Sequence, residues 1–496
     1  MTERMNLQAV ARSTESLWTC LHARVAVWCG MAGGLNKRTI AYLCALGALA
    51  AYYMVWPVWR AQYPLEIWFT ESWNAYHQDV AAAGLRLYPG ADQLVVNNYP
   101  PLSFYAIGWL GTLLGDNLFV GRATSIVGLL AIAVEIALAV RLLAGSLIAG
   151  SLGALWFIAI MAHNATSYVG ANDPQIASLA IMGAGLVWFL ARDRAGKAPE
   201  PALLLMVVAG FWKHNIIGIP LTAISWIIIA KGLRPALRPL LVSGAAAVAG
   251  LSACVAIFGP AFLDNLLTPR AYSWRHFLSQ VGHLQWVALA LMIWAAWAWS
   301  DRASRAARFT ALQIGCGLFA CLLQWFGDGV YGNAEFDLII AAAIGLGVAI
   351  AKIETSWLAR RIGSGPARDV VIILLIIRLV SSGRQESAQV LFEPAFRASL
   401  VAATQSQADL AARVAAMPGL VMCWKANLVC RQAGKAFVVD DFKTDQLLAK
   451  GAFTVPELGQ MLRDRKITIF TDGLTSPFTL PQASPADPQN ANAVSK

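Results

Sequence analysis

The acids, cations and aromatic rings that could do chemistry in this chain gather in a few polar windows between long apolar runs. The first window reads WFTESWNAYHQDVAAAGLRLYP from Trp68 and continues at NNYPPLSFY from Asn97. Glu71 sits there among Trp68, Trp73 and Tyr76, rings of the kind that settle at a membrane interface. A carboxylate so placed could act as a base at the lipid surface, or it could be a solvated loop acid beside an interfacial aromatic belt. The second window, HNATSYVGANDPQIASLA, holds Asp173 directly before Pro174. An acid between apolar spans is costly unless it has a task, and Asp173 also suits the N-cap of the following helix. The third, GFWKHNIIGIP, sets Lys213 and His214 at the turn between two short spans. A fixed cation there suits an anionic headgroup such as a phosphate, while a lysine snorkelling to the interface would look the same. Arg270, Arg275 and His276, and the stretch from Asp328 to Asp337, are further candidates, and Glu135 and Arg378 lie inside apolar segments.

The elements that hold these windows are membrane spans. The 496 residues are 58% apolar and 13% charged, with mean hydropathy +0.56, where a soluble protein carries about 25% charged residues. Spans are expected at 39–59, 122–140, 146–164, 174–191, 201–213, 214–230, 239–259, 284–300, 309–326, 336–351 and 369–383, about 11 in all. The net charge of +10 comes from Lys and Arg clustered between spans, a topogenic pattern and not a nucleic-acid footprint. Residues 1–38 and the clusters Arg192–Lys197, Lys231–Arg238, Arg302–Arg308 and Lys352–Arg368 fall on one side. Only scattered cations, Arg60, Arg86, Arg122, Lys213, Arg270 and Arg275, fall on the other. The bias makes the N-terminus cytoplasmic and puts the loop 60–101 outside. Residues 101–115, uncharged but short, read as a helix at the outer interface.

From residue 384 the periodicity changes. Leu420–Cys423, Ala436–Val439 and Ile467–Phe470 suit buried strands, and 402–416 and 455–463 suit amphipathic helices, so 384–474 reads as a small outer α/β domain. A tail, 475–496, rich in Pro, Ala and Asn, reads as disordered. Cys423 and Cys430 then lie in an oxidising compartment and are expected to pair if the chain between them bends.

The order of these parts resembles the GT-C superfamily of polytopic glycosyltransferases that use polyprenyl-phosphate-linked sugars. The resemblance is specifically to the bacterial relatives of protein O-mannosyltransferases and lipid A aminoarabinose transferases. Those proteins have an acid ahead of a Tyr in a large first outer loop, here Glu71 and Tyr76. A Tyr-x-x-Pro-Pro-like stretch follows, here Asn97 to Pro101, and then a Gly-x-x-x-Phe-x-x-Arg-like run, here GDNLFVGR from Gly115 to Arg122. An Asp in the second outer loop is similar to Asp173, and a Lys between the fifth and sixth spans is similar to Lys213. The match covers residues 39–232 well and the later spans by architecture. The chain departs from the family where an Asp-Glu pair becomes Thr70 and Glu71, and where a Glu-Lys pair becomes Asn97 and Asn98.

The resemblance implies a mainly α bundle whose outer helices roof a cavity open sideways to lipid, in a bacterial inner membrane with the C-terminal domain periplasmic. It implies transfer of a sugar, with inversion, from a polyprenyl-phosphate donor to a lipid, glycan or protein acceptor. Glu71 and Asp173 would be catalytic, with Asp79 a substitute base. Lys213, His214, Tyr76, Asp79, Asn98, Tyr99 and Arg270 would bind substrate. A divalent cation is the one cofactor left open, and no metal ligands are assigned. A transporter or flippase for a lipid-linked or small polar substrate is the alternative, although such proteins place their polar groups near the bilayer midplane.

Overall fold

The computed structural model describes residues 36–470 apart from 91, 92, 269, 382 and 384. The expected N-terminal segment before Asn36 and the expected disordered tail lie outside the described residues. Helix α1 (Lys37–Arg60) starts where the Asn36 side chain accepts from the Thr39 N–H. Helices α2 (Phe69–Ala82) and α3 (Leu102–Leu114) follow, and then α4 (Asn117–Ala144). The start of α4 precedes the expected span by five residues because Asp116 accepts from the Leu118 N–H and caps the helix there. Next come α5 (Leu147–Asn164), α6 (Pro174–Arg194), α7 (Glu200–Trp212) and α8 (Gly218–Lys231). Helices α9 (Leu233–Phe258) and α10 (Ala261–Leu266) precede α11 (Trp274–Val281), which runs through a tight turn into α12 (Gln285–Ser300). Helices α13 (Arg305–Gln324), α14 (Phe336–Ala351), α15 (Trp357–Ile362) and α16 (Ser364–Val380) complete the bundle.

Among the described residues, eight helical runs are long and apolar enough to cross a membrane: α1, α4, α5, α6, α9, α11 with α12, α13, and α14 with its leading turn. The chain is a multi-pass membrane protein. The other three expected spans are α7, α8 and α16, of 13, 14 and 17 residues. The centre of the bundle is α14, whose residues from Phe336 to Ile350 are all buried. Close backbone approach makes this possible: a Cβ at Gly153 of α5 would fall 2.7 Å from the Ala343 carbonyl of α14. At the end of the bundle away from the roofing segments, Asp193 of α6 holds Lys231 and Arg305 in ion pairs and accepts from the Trp226 indole.

The C-terminal region comprises α17 (Glu386–Phe392), α18 (Pro394–Ala416), β1 (Leu420–Cys423), α19 (Asn427–Gln432), α20 (Asp441–Ala449), α21 (Val455–Asp464) and β2 (Ile467–Phe470). The strands pair in parallel, Leu420 opposite Ile467 through Cys423 opposite Phe470. The third expected strand is corrected: of Ala436–Val439, Val439 makes one isolated bridge to Leu94 of the loop between α2 and α3. Of that run only Val439 is buried, packed with Leu94, Met422 and Leu458, while Ala436 is exposed, so the run does not join the sheet. Cys423 and Cys430 form the expected disulfide, with Cα atoms 5.7 Å apart, because the chain turns from β1 into α19 between them.

Candidate active site

Glu71 lies in the first turn of α2 and is wholly buried. Its Oε1 accepts from Arg122 Nε and the Asn172 N–H, each at 2.8 Å, and its Oε2 accepts from Arg122 Nη2 and the Ile67 N–H, each at 2.7 Å. Those four bonds fill the acceptor sites of a carboxylate. Arg122, on α4, spends its remaining donors on the carbonyls of Ala61, Tyr63 and Leu65. The Gly121 preceding it is required, since a Cβ there would overlap the Asn172 side chain. The two ends of the GDNLFVGR motif thus have physical duties: Asp116 starts α4, and Gly121 with Arg122 ties α4 to the loop after α1, to α2 and to the Asn172 turn. Glu71, expected as a catalytic carboxylate, has no oxygen free for a substrate proton in this geometry.

Asn172 continues the connection through a reciprocal amide pair with Gln78 of α2, at 2.9 and 2.8 Å. Its neighbour Asp173 is the N-cap of α6. Asp173 Oδ1 accepts from the Gln175 N–H at 2.8 Å and from Lys213 Nζ at 2.9 Å, so Asp173 caps α6 and is ion-paired with Lys213 at once. The pair is buried, with 3% of the Asp173 side chain and 1% of the Lys213 side chain exposed. No hydrogen bond reaches Asp173 Oδ2 among the described residues. Tyr99 lies over the ammonium, its ring centre 4.6 Å from Nζ, an attraction of about 1–2 kcal/mol in a desolvated setting. His214 is exposed and meets the Tyr99 ring at 6.3 Å. Arg270 is half-buried, with its guanidinium over Phe442 at 5.9 Å, and close enough to His214 to act on it electrostatically. Asn98 is half-buried beside Tyr99. Asp337, at the first turn of α14, accepts from the Gly218 N–H at 2.9 Å and so fixes the turn that carries Lys213 and His214.

Two expected substrate residues are placed elsewhere. Tyr76 donates to the Lys435 carbonyl and stacks on Phe437 with ring centres 4.9 Å apart. Asp79 accepts from Arg431 at 2.7 and 3.0 Å and from Asn117 at 2.6 Å. Both face the C-terminal domain, and Arg431 reaches Asp116 as well. The spacing of α2 explains this: Tyr76 and Asp79 are three residues apart and share a face, away from the face of Glu71 and Gln78 that meets Asn172.

The reading from sequence missed the groups at this seam. Asp440 Oδ2 accepts from the Trp73 indole at 2.9 Å, while its Oδ1 caps α20 through the Lys443 N–H. Burial pushes Asp440 up to about 6, its neighbour Asp441 to about 7 and Glu66, beside Ser72, to about 8. The sequence signal was a pair of acids between an apolar run and a helix, which marks a cap but not its partner across the seam. Among the described residues, no group of three His, Cys, Asp or Glu is placed to hold a metal ion.

A helical multi-span bundle roofed by loop helices and a small strand-containing C-terminal domain defines the class of fold, and it is the one the GT-C resemblance implies. Among the solved structures that share it are two of ArnT from Cupriavidus metallidurans. The one bound to undecaprenyl phosphate matches with TM-score 0.52 and 16% identity, and the apo state with TM-score 0.55 and 14% identity. Each match covers 86% of this chain and 91% of ArnT. At such identities the likeness is one of fold. No protein-family model matches the chain, and no curated protein matches it in sequence.

Proposed function

We propose that the chain is a membrane glycosyltransferase that moves a sugar from a polyprenyl-phosphate donor to a lipid, glycan or protein acceptor. The observation that carries this reading is the buried Asp173–Lys213 pair under Tyr99, set at the roofed face of an ArnT-like fold. ArnT was crystallised with undecaprenyl phosphate, and a lipid phosphate entering here would meet His214, Arg270 and the ammonium beneath Tyr99. In the proposed reaction Asp173 Oδ2 accepts the proton of the acceptor hydroxyl. The hydroxyl oxygen bonds to the anomeric carbon as the bond to the phosphate oxygen breaks. The leaving phosphate keeps the electron pair and is stabilised by the cations, with inversion at carbon. Glu71 acts by position: its bonds to Arg122 and Asn172 hold the turn that presents Asp173. Asn98 and Tyr99 would contact the sugar, while Tyr76 and Asp79 hold the roof.

The charge bias supports a roofed face on the outer side of a bacterial inner membrane. A transporter would gather its polar groups at the midplane, whereas this cluster sits at helix ends. The test uses proteoliposomes holding the protein and an undecaprenyl-phosphate sugar labelled in the sugar. Transferase action releases undecaprenyl phosphate and labels the acceptor, and Asp173→Asn abolishes both. Label that crosses the bilayer still joined to its lipid would instead establish a flippase.

A further inference from the structure

The C-terminal domain reaches the Lys213 site through an unbroken series of contacts. Asp440 Oδ2 accepts from Trp73 Nε1 at 2.9 Å. The Trp73 ring meets Tyr99 edge-on at 5.2 Å and 75°, and Tyr99 covers Lys213 at 4.6 Å. A second grip comes from the backbone, where the Asp440 N–H donates to the Leu94 carbonyl at 2.7 Å beside the bridge of Leu94 to Val439. Leu94 lies five residues before Tyr99 on the same loop. Asp440 is 2% exposed, and capping α20 needs only one of its oxygens. The other oxygen is spent across the domain seam, and burying a carboxylate for a cap alone would carry its desolvation cost without that return.

We propose that Asp440 is a positioning residue for the phosphate-binding pair: from the C-terminal domain it holds Trp73, and through Trp73 and the Leu94 loop it holds Tyr99 over Lys213. The membrane domain's site is therefore incomplete without the C-terminal domain. The consequence for turnover rests on the transferase reading, but the placement of Tyr99 does not, and the experiment separates the two.

In the full chain in nanodiscs, the rate of acylation of Lys213 by a water-soluble N-hydroxysuccinimide ester of acetate is followed by peptide mass spectrometry. Trp73→Phe keeps the ring and loses the indole donor. Asp440→Ser keeps the helix cap but is too short to reach Trp73. Each should speed acylation about tenfold, the size that a coupling of about 1.4 kcal/mol gives, and the double variant should be no faster than either single. Asp440→Asn, whose single amide oxygen keeps the cap and sets its NH2 against the indole N–H, should speed acylation as Asp440→Ser does. In the second arm, the same variants raise KM for the undecaprenyl-phosphate sugar and leave kcat near that of the parent. Unchanged acylation in both singles, or additive effects in the double, overturns the positioning role. Coupled deprotection of Lys213 in a protein that transfers no sugar would uphold the positioning role and refute the transferase reading.

Discussion

Glu71→Gln separates a positioning carboxylate from a catalytic one, and the structure sets the size of the effect. An amide in place of the carboxylate must turn its NH2 toward one of two pairs of donors: Arg122 Nε with the Asn172 N–H, or Arg122 Nη2 with the Ile67 N–H. Either choice sets donor against donor and leaves a buried guanidinium, 1% exposed, without its counter-charge. Removing one partner of such a pair costs about 3–5 kcal/mol, the scale expected for Glu71→Gln. Replacing both partners with apolar residues often recovers that loss, but here it should not. In Glu71→Leu with Arg122→Met, the carbonyls of Ala61, Tyr63 and Leu65 and the N–H groups of Ile67 and Asn172 all lose their partners, at about 1–3 kcal/mol for each that stays buried. The assay is thermal unfolding of the purified protein in detergent, followed by loss of the monodisperse fraction, beside initial rates of sugar transfer measured well below the melting temperature. The expected result is a large drop in melting temperature for the single variants and no recovery in the double. A Glu71→Gln protein that melts like the parent and has lost turnover would show that Glu71 is the base, and the saturation argument would fall.

Lys213→Ala strands Asp173 in a buried site, so it should lose about 3–5 kcal/mol of stability along with transfer; Lys213→Arg should keep part of both, readable from the same melts and rates. Arg431→Ala releases Asp79, Asp116 and Asn117, whose half-exposed acids make each pair worth about 1 kcal/mol or less. Limited proteolysis should then detach the C-terminal domain faster at low salt, with the difference from the parent shrinking as salt rises. Replacing Cys423 and Cys430 by Ser frees a short loop at a cost of about 2 kcal/mol, measurable as earlier unfolding of that domain; reducing agent should bring the parent to the same point. Glu66, Asp440 and Asp441 are held above the usual carboxylate range, up to about 8, 6 and 7, against about 4 when unfolded. In the folded chain they keep protons that the unfolded chain has lost, so their stabilisation is complete below about pH 4 and is lost as pH rises through about 6 to 8. The protease resistance of the seam should therefore increase as pH is lowered from about 8.5 to 5.5; a flat profile or the reverse slope would refute the seam's titration.

The spans were legible because hydropathy and charge bias are properties of the chain itself. Each expected span falls on a helix; the start of α4 moved to the cap that Asp116 supplies, while α9 and α16 begin earlier than expected, just after Gly232 and Gly363, without a side-chain cap. Asp173 was legible in the same local way, since an Asp followed by Pro at the head of an apolar run is a helix start. The disulfide followed from topology and spacing. What sequence could not give was the partner of each polar residue. Arg122 lies 51 residues from Glu71, Arg431 lies 352 from Asp79, and Asp440 lies 367 from Trp73. Nothing local to WFTESWNAYHQD tells that Glu71 faces a guanidinium while Tyr76 and Asp79 face another domain.

That difference decides which carboxylate can react. Glu71 is saturated by four donors. Asp79 receives two bonds from Arg431 and one from Asn117. Asp440 has one oxygen on a helix start and the other on an indole. Asp173 places both of its donors, a backbone N–H and an ammonium, on a single oxygen. It alone of these four keeps an oxygen without a donor, beside the cation that would receive a departing phosphate. The chain has Thr70 where the family it resembles has an acid, and a transferase built this way can work only if a carboxylate from another element takes over the proton. Asp173, fixed by α6 and by Lys213, has a geometry that leaves it able to do so, with the ammonium directly beside it.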